Sequence, residues 1–249
     1  MEILGVDIGG SGIKGAPVDV DRGEFTRDRL RLPTPDGAQP RDVAGVVAQI
    51  VSHFRWTGPV GVTFPGVVVD GVVRTAANLG DAWIDLAARD LFAEASGVPV
   101  TLLNDADAAG VAEMTFGVGR GRPGTVLMLT LGTGVGSALF LDGRLVPNTE
   151  LGHIEIRGKD AERRASAHAR EVHDWSWHDW AKRLGEYLQR IEDLLWPSLI
   201  ILGGGVSKKA DHFVPLLKDV RTPVVPAELH NDAGIIGAAM AAVPGAGRS

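Results

Sequence analysis

The sequence predicts an α/β protein of two domains in which one structural unit occurs twice. Three observations carry this. A strand, a glycine turn and a second strand at residues 4–19 recur in the same order at 125–143. β-type runs alternate along the chain with apolar residues at helical spacing, the pattern of layered α/β folds. Finally, the segment 233–242 is small and apolar enough to pack back against the N-terminal half. A C-terminal helix that crosses over makes the domains discontinuous: 1–106 joined by 232–249, and 107–231, with the site expected in the cleft between them.

Taken in order, the first element poses a choice. Gly10-Ser-Gly-Ile-Lys-Gly15 satisfies the dinucleotide fingerprint G-x-G-x-x-G. That fingerprint works only where a strand enters the glycines and a helix leaves them, because the helix N-terminus holds the pyrophosphate. Here Pro17 forbids a helix interior, and Asp21-Arg-Gly23 with alternating Leu30 and Leu32 reads as turn and strand. The glycines therefore belong to a tight turn between antiparallel strands. Val43, Val46, Val47, Ile50, Val51 and Phe54 form one stripe of a helix over 39–54. A strand follows at 59–64, then a hairpin at Asp70-Gly71, a helix over 85–96 ending before Gly97, and a strand over 99–103.

In the second half, Gly132-Thr-Gly-Val-Gly136 repeats the glycine turn. Ser176-Trp-His-Asp179 reads as a capping box for a helix whose apolar face holds Trp177, Trp180, Leu184, Leu188, Ile191 and Leu195. Pro197 stops it, and the buried strand 199–202 runs into a third glycine turn, Gly203-Gly-Gly205.

Composition narrows the function. The 249 residues suffice for one large domain or two, each with its own core. A net charge of −6 argues against nucleic acid and acidic membrane as partners. The absence of cysteine excludes a disulfide scaffold, a thiol nucleophile and every cysteine-based zinc site. The start lacks a basic n-region, and no apolar run reaches the ~18 residues of a membrane span, so a cytoplasmic protein is expected.

Asp7-Ile-Gly-Gly-Ser-Gly-Ile-Lys14, Asn104-Asp105, Leu131-Gly-Thr-Gly-Val-Gly136, Glu150-Leu-Gly-His153, Leu202-Gly-Gly-Gly-Val-Ser207 and Ala233-Gly-Ile-Ile-Gly-Ala238 together resemble the ROK sugar kinases. They occur in that family's order over nearly the whole chain. The resemblance implies the two-domain actin-like ATPase (ribonuclease H-like) fold. Within the family, Val146 to Glu155 with Gly203 to Lys209 looks most like the actinobacterial polyphosphate glucokinases. These transfer a terminal phosphoryl group from polyphosphate, and sometimes ATP, to the 6-hydroxyl of glucose. A strictly ATP-dependent hexokinase is the alternative, and a phosphohydrolase or sugar-sensing regulator a remoter one. A regulator would need a DNA-binding segment ahead of the first strand, for which residue 2 leaves no room. The family further suggests a homodimer.

The resemblance also assigns roles. Asp105 would be the catalytic base, although at the end of a strand it could equally cap the helix that follows. Asn104, Glu150, His153 and Glu162 would bind the sugar, with Phe64, Pro65, Gly66 and Asn78 completing the pocket or serving as ordinary loop residues. Gly9, Gly10, Ser11, Gly12 and Lys14 would hold the donor on one side, Gly132, Thr133, Gly134, Gly204 and Gly205 on the other. Lys14 could instead be a solvated strand residue. Asp7 would anchor Mg2+ through water. Typical members bind zinc through a cysteine cluster after the Gly-His motif. Here 154–162 contains none, and His168, His173 and His178 do not share a helical face, so no zinc site is expected. Lys208 and Lys209, placed at the start of a helix after the third glycine turn, are the first choice for an extended polyphosphate. Arg120 and Arg122 come second, against a solubilising role in their loop.

Overall fold

The computed structural model describes residues 1–76 and 79–245. They fall into two compact units: Met1–Ala112 with the segment from Asp232 onward, and Glu113–Asn231.

The first unit opens with β1 (Glu2–Gly9) and β2 (Gly12–Asp19), an antiparallel hairpin in which Gly9 faces Gly12 across the turn. The fingerprint glycines thus close a hairpin and start no helix. The short strands β3 (Glu24–Phe25) and β4 (Leu30–Leu32) both pair with β2. Helix α1 (Pro40–His53) begins with proline at its first position, where no amide is needed, and buries Val43, Val47 and Ile50. Strand β5 (Val60–Phe64) then runs parallel to β1. A hairpin of β6 (Val68–Val69) and β7 (Val72–Val73) turns at Asp70 and Gly71, both at positive φ, as Asp-Gly turns of this kind require. Helix α2 (Ala88–Ser96) ends on Gly97 in the left-handed region. Strand β8 (Val100–Asn104) pairs parallel with β5 and leads directly into α3 (Asp105–Phe116). The sheet order is β3-β2-β1-β5-β8, with β4 also on β2.

The second unit repeats the plan. An antiparallel hairpin of β9 (Thr125–Leu131) and β10 (Val135–Leu141) is extended by β11 (Arg144–Val146). The small hairpin of β12 (Glu155–Ile156) and β13 (Lys159–Asp160) turns at Arg157 and Gly158, both at positive φ. Helices α4 (Glu162–Ala165), α5 (Ala167–Val172) and α6 (Trp177–Leu195) follow. The Ser176 side chain accepts the Asp179 amide and caps α6. Leu184, Leu188 and Ile191 of α6 are fully buried, each contributing on the order of 1.5–3 kcal/mol. Two parallel strands, β14 (Leu199–Gly203) and β15 (Val224–Pro226), complete the order β11-β10-β9-β14-β15. In both sheets an antiparallel hairpin is continued by two parallel strands, which is the internal duplication read from the sequence.

The chain ends with α7 (Ala233–Ala241), which returns to the first unit. Its backbone lies directly on the sheet because Gly5 and Gly61 present no side chain. A Cβ at either position would overlap a carbonyl oxygen of α7.

Two expected helices differ. The segment from Asp85 starts as an extension of the β7 hairpin: the Asp85 amide bonds the Val73 carbonyl, the Val73 amide bonds that of Leu86, and Asp85 sits at φ 61°. Helix begins only at Ala88. After the third glycine turn, residues Gly205–His212 form 3-10 turns interrupted at Lys209, not an α-helix. Ser207 captures the Gly204 carbonyl with both its amide (3.1 Å) and its hydroxyl (2.8 Å), which tightens the turn. The helix dipole invoked for Lys208 and Lys209 is therefore absent.

Candidate functional site

In the first unit, strand register gathers the anion-binding candidates. Asp7 faces Lys14 across the hairpin and Thr63 across the parallel pair. Thr63 Oγ1 donates to Asp7 Oδ1 at 2.8 Å, and Lys14 Nζ stands 3.8 Å from Asp7 Oδ2. Lys14 is thus held beside a half-buried carboxylate. Gly234 of α7 adjoins the same group, since a Cβ there would come within 3.1 Å of Asp7 Oδ1. At the turn itself Gly10 and Ser11 are exposed. Arg31, which the sequence reading passed over, donates to the Ser11 carbonyl at 3.0 Å and lies against Gly12, adding a second cation beside the turn.

The Asn104-Asp105 pair divides two structural tasks at the end of β8. Helix α3 starts at Asp105, and its cap is Asn104, whose Oδ1 accepts the Asp107 amide at 3.0 Å. Asn104 Nδ2 donates to the Gly66 carbonyl at 3.1 Å, tying the helix start to the Phe64-Pro65-Gly66 turn. Asp105 is half-buried, with Oδ1 accepting the adjacent Ala106 amide at 2.8 Å. The capping role considered for Asp105 falls to its neighbour. Phe64 is a core residue, its ring fully buried against Trp83. Asn78 lies outside the described residues.

In the second unit the three sugar-site candidates converge. Glu150 precedes and His153 ends the turn Leu151–His153, and Glu162 opens α4. His153 Nε2 is 3.8 Å from Glu150 Oε2, while Nδ1 is 3.1 Å from Asp160 Oδ2. Glu162 Oε2 accepts the Val135 amide at 3.3 Å and occupies the space that a side chain at Gly134 would need. Burial raises the Glu150 carboxyl above its usual range, and the Glu162 charge adds to it while His153 opposes. The hydrogen bond to Asp160 raises His153, with the Glu162 and Glu150 charges in support and burial opposing. Asp160 was missed by the sequence reading. The Arg157-Gly158 turn pairs Asp160 with Glu155 and so carries it back to His153. His153, Asp160 and Glu162 each bring a ligand atom within 4.8 Å of the others, a grouping that histidine spacing did not suggest.

The second glycine turn closes on itself. The Gly132 amide bonds the Gly134 carbonyl at 3.0 Å, so it is not available to an anion in this arrangement. Thr133 is exposed and faces a cavity of about 280 Å³ shared with Gly132, Gly205 and Lys209. Gly204 sits at φ 82° pressed on Leu131, a position only glycine fills without strain. Lys208 is exposed and does not line that cavity. Arg120 and Arg122 are exposed in their loop.

Duplicated sheets of hairpin plus parallel strands, each with a glycine turn, define a protein of the actin-like ATPase fold. The ROK family model matches residues 3–168, and the chain belongs to that family. It is 55% identical over 241 residues to the polyphosphate glucokinase of Mycobacterium tuberculosis, covering 96% of this chain and 91% of that protein. Among solved structures, it is similar to the inorganic polyphosphate/ATP-glucomannokinase of Arthrobacter sp. strain KM, with TM-score 0.93, 49% identity and 96% of each chain covered. The ROK glucokinase of Streptomyces griseus, solved with glucose and AMPPNP, superposes with TM-score 0.80 at 25% identity over 98% of this chain and all of that one. No helix among the described residues is long and apolar enough to cross a membrane.

Proposed function

We propose that this protein is a polyphosphate-dependent glucokinase that transfers a terminal phosphoryl group from inorganic polyphosphate, and also from ATP, to the 6-hydroxyl of glucose. One observation carries the reading: the Glu150, His153 and Glu162 cluster stands in a chain 55% identical to a polyphosphate glucokinase over nearly its full length. A sugar offers several hydroxyls, and half-buried carboxylates with an imidazole can discriminate among them. With Nδ1–H of His153 donated to Asp160, Nε2 is the ring atom left to meet a sugar hydroxyl, as acceptor in the neutral imidazole.

Phosphoryl transfer needs a positioned hydroxyl and charge neutralisation, with little covalent work by the protein. Asp105 accepts the proton of the attacking hydroxyl, and Asn104 fixes the start of α3 on which Asp105 sits. Lys14, Arg31 and the Gly10-Ser11 turn serve the donor in the first unit, Thr133, Gly205 and Lys209 in the second. Asp7, which also meets Thr63 and Lys14, would hold a hydrated Mg2+ through water. When bound, the ion would supply neutralisation of donor phosphate charge. The enzyme works as a cytoplasmic homodimer and needs no zinc. The test is glucose 6-phosphate formation by purified protein given glucose with polyphosphate or with ATP. Product from polyphosphate is expected, and product from ATP alone would establish the hexokinase alternative.

A further inference from the structure

Polyphosphate is a polymer, and the cavity beside Thr133 has room for only its reacting end. Three cavities of the second unit join through shared walls. The first, at Thr133 and Lys209, meets a second of about 600 Å³ at Thr133 and His168. The second meets a third of about 540 Å³ at Arg157 and Arg164. Along this path the walls carry nine lysine and arginine side chains against four carboxylates. The whole chain has the opposite balance, 25 basic to 31 acidic residues. Positive charge is therefore concentrated on one path that starts at a glycine turn of the donor set.

The middle cavity is the most strongly biased. Arg157, Lys159, Arg163 and Arg164 line it with a single carboxylate, Glu162. Arg157 and Arg164 share Glu186, at 2.6 and 3.1 Å, whereas among the described residues Lys159 and Arg163 form no ion pair. Both are exposed. An acidic protein gains nothing for its fold by leaving two such cations beside two more. A chain of phosphates neutralises the two that lack a partner, beside the pair already held by Glu186, and releases the counterions it carried. The third cavity continues with Lys182, Arg183 and Lys218.

We propose that this track is the binding site for the polyphosphate tail: the chain runs from Thr133 past Lys159 and Arg163 to Lys182 and Lys218. The inference rests on polyphosphate being the donor. It replaces Lys208 as an anchor, since Lys208 lines none of the three cavities. A donor of three phosphates ends within the first cavity, so chain length separates this site from the reacting centre.

The test compares two double variants, Lys159→Ala with Arg163→Ala, and Lys182→Ala with Lys218→Ala, on long-chain polyphosphate, tripolyphosphate and ATP. Each pair should raise KM for the long chain by about tenfold at low salt and flatten its salt dependence. KM for tripolyphosphate and ATP should change less than twofold. Exchange to Lys159→Arg with Arg163→Lys should restore the long-chain KM. Calorimetric titration of long-chain polyphosphate without glucose should show the same loss of affinity. An unchanged long-chain KM in both variants, or an equal rise for tripolyphosphate, overturns the track. If the parent makes no product from polyphosphate, the functional reading fails, and the titration still decides the track: binding that both variants weaken supports it, and no binding overturns it.

Discussion

Asp160→Asn tests how the sugar cluster is held. The substitution keeps the shape and removes the charge that His153 Nδ1 meets at 3.1 Å. Both side chains are about half exposed, at 50% and 46%, so solvent weakens the pair, and its net worth is about 0.5–1 kcal/mol. If His153 accepts a sugar hydroxyl, that amount appears as a rise of about two- to fivefold in KM for glucose, with kcat unchanged. Asp160 is a positioning residue, so the His153 titration should move as well. Its hydrogen bond is the leading cause of the raised value, and the variant imidazole should titrate lower. For a raised imidazole, the stabilisation from protonation is full below about 6.5 and disappears as pH rises through the folded value. The stability gap between parent and variant should therefore be widest in acid and close above neutrality. NMR titration of His153, steady-state kinetics and thermal melts across pH measure each part. An unmoved His153 titration, or a loss in kcat with KM unchanged, would refute the reasoning.

Three further outcomes are expected. Glu150→Gln should raise Tm at pH 7 while weakening glucose binding, because the native state holds that proton more tightly than the unfolded chain; the gain should shrink as pH falls to 4.5, and a lower Tm at neutral pH would count against it. Asn104→Ala should destabilise by about 2 kcal/mol through loss of the α3 cap and the bond to Gly66, whereas Asn104→Asp keeps the cap and should lose less; urea unfolding distinguishes them. Metal analysis of protein purified without added metal should find substoichiometric zinc, and stoichiometric zinc would mean that His153, Asp160 and Glu162 form a metal centre.

The hairpins were legible because their signals are local. Asp70 and Gly71 both take the positive φ that such turns demand, and Pro17 decided strand over helix after the first glycines. The helical stripes of α1 and α6 followed from spacing. What the sequence hid depends on pairing between distant segments. Thr63 reaches Asp7 through a parallel register 56 residues away, Arg31 reaches the first turn through β4, and Asp160 returns to His153 through a turn without an aspartate or asparagine signal. The missing helix after Gly204 reflects one serine bonding back to a glycine carbonyl. The late start of α2 reflects β-type pairing of Asp85 and Leu86 with Val73.

Rapid-quench single-turnover measurement of Asp105→Asn with saturating glucose and polyphosphate addresses the central claim most directly. The amide retains the size of the side chain and loses the base, so the transfer step should slow by ~10²–10⁴-fold while glucose affinity stays within a few-fold of the parent. A variant that forms glucose 6-phosphate at the parent rate would contradict the account and leave Asp105 as a residue of the α3 terminus alone.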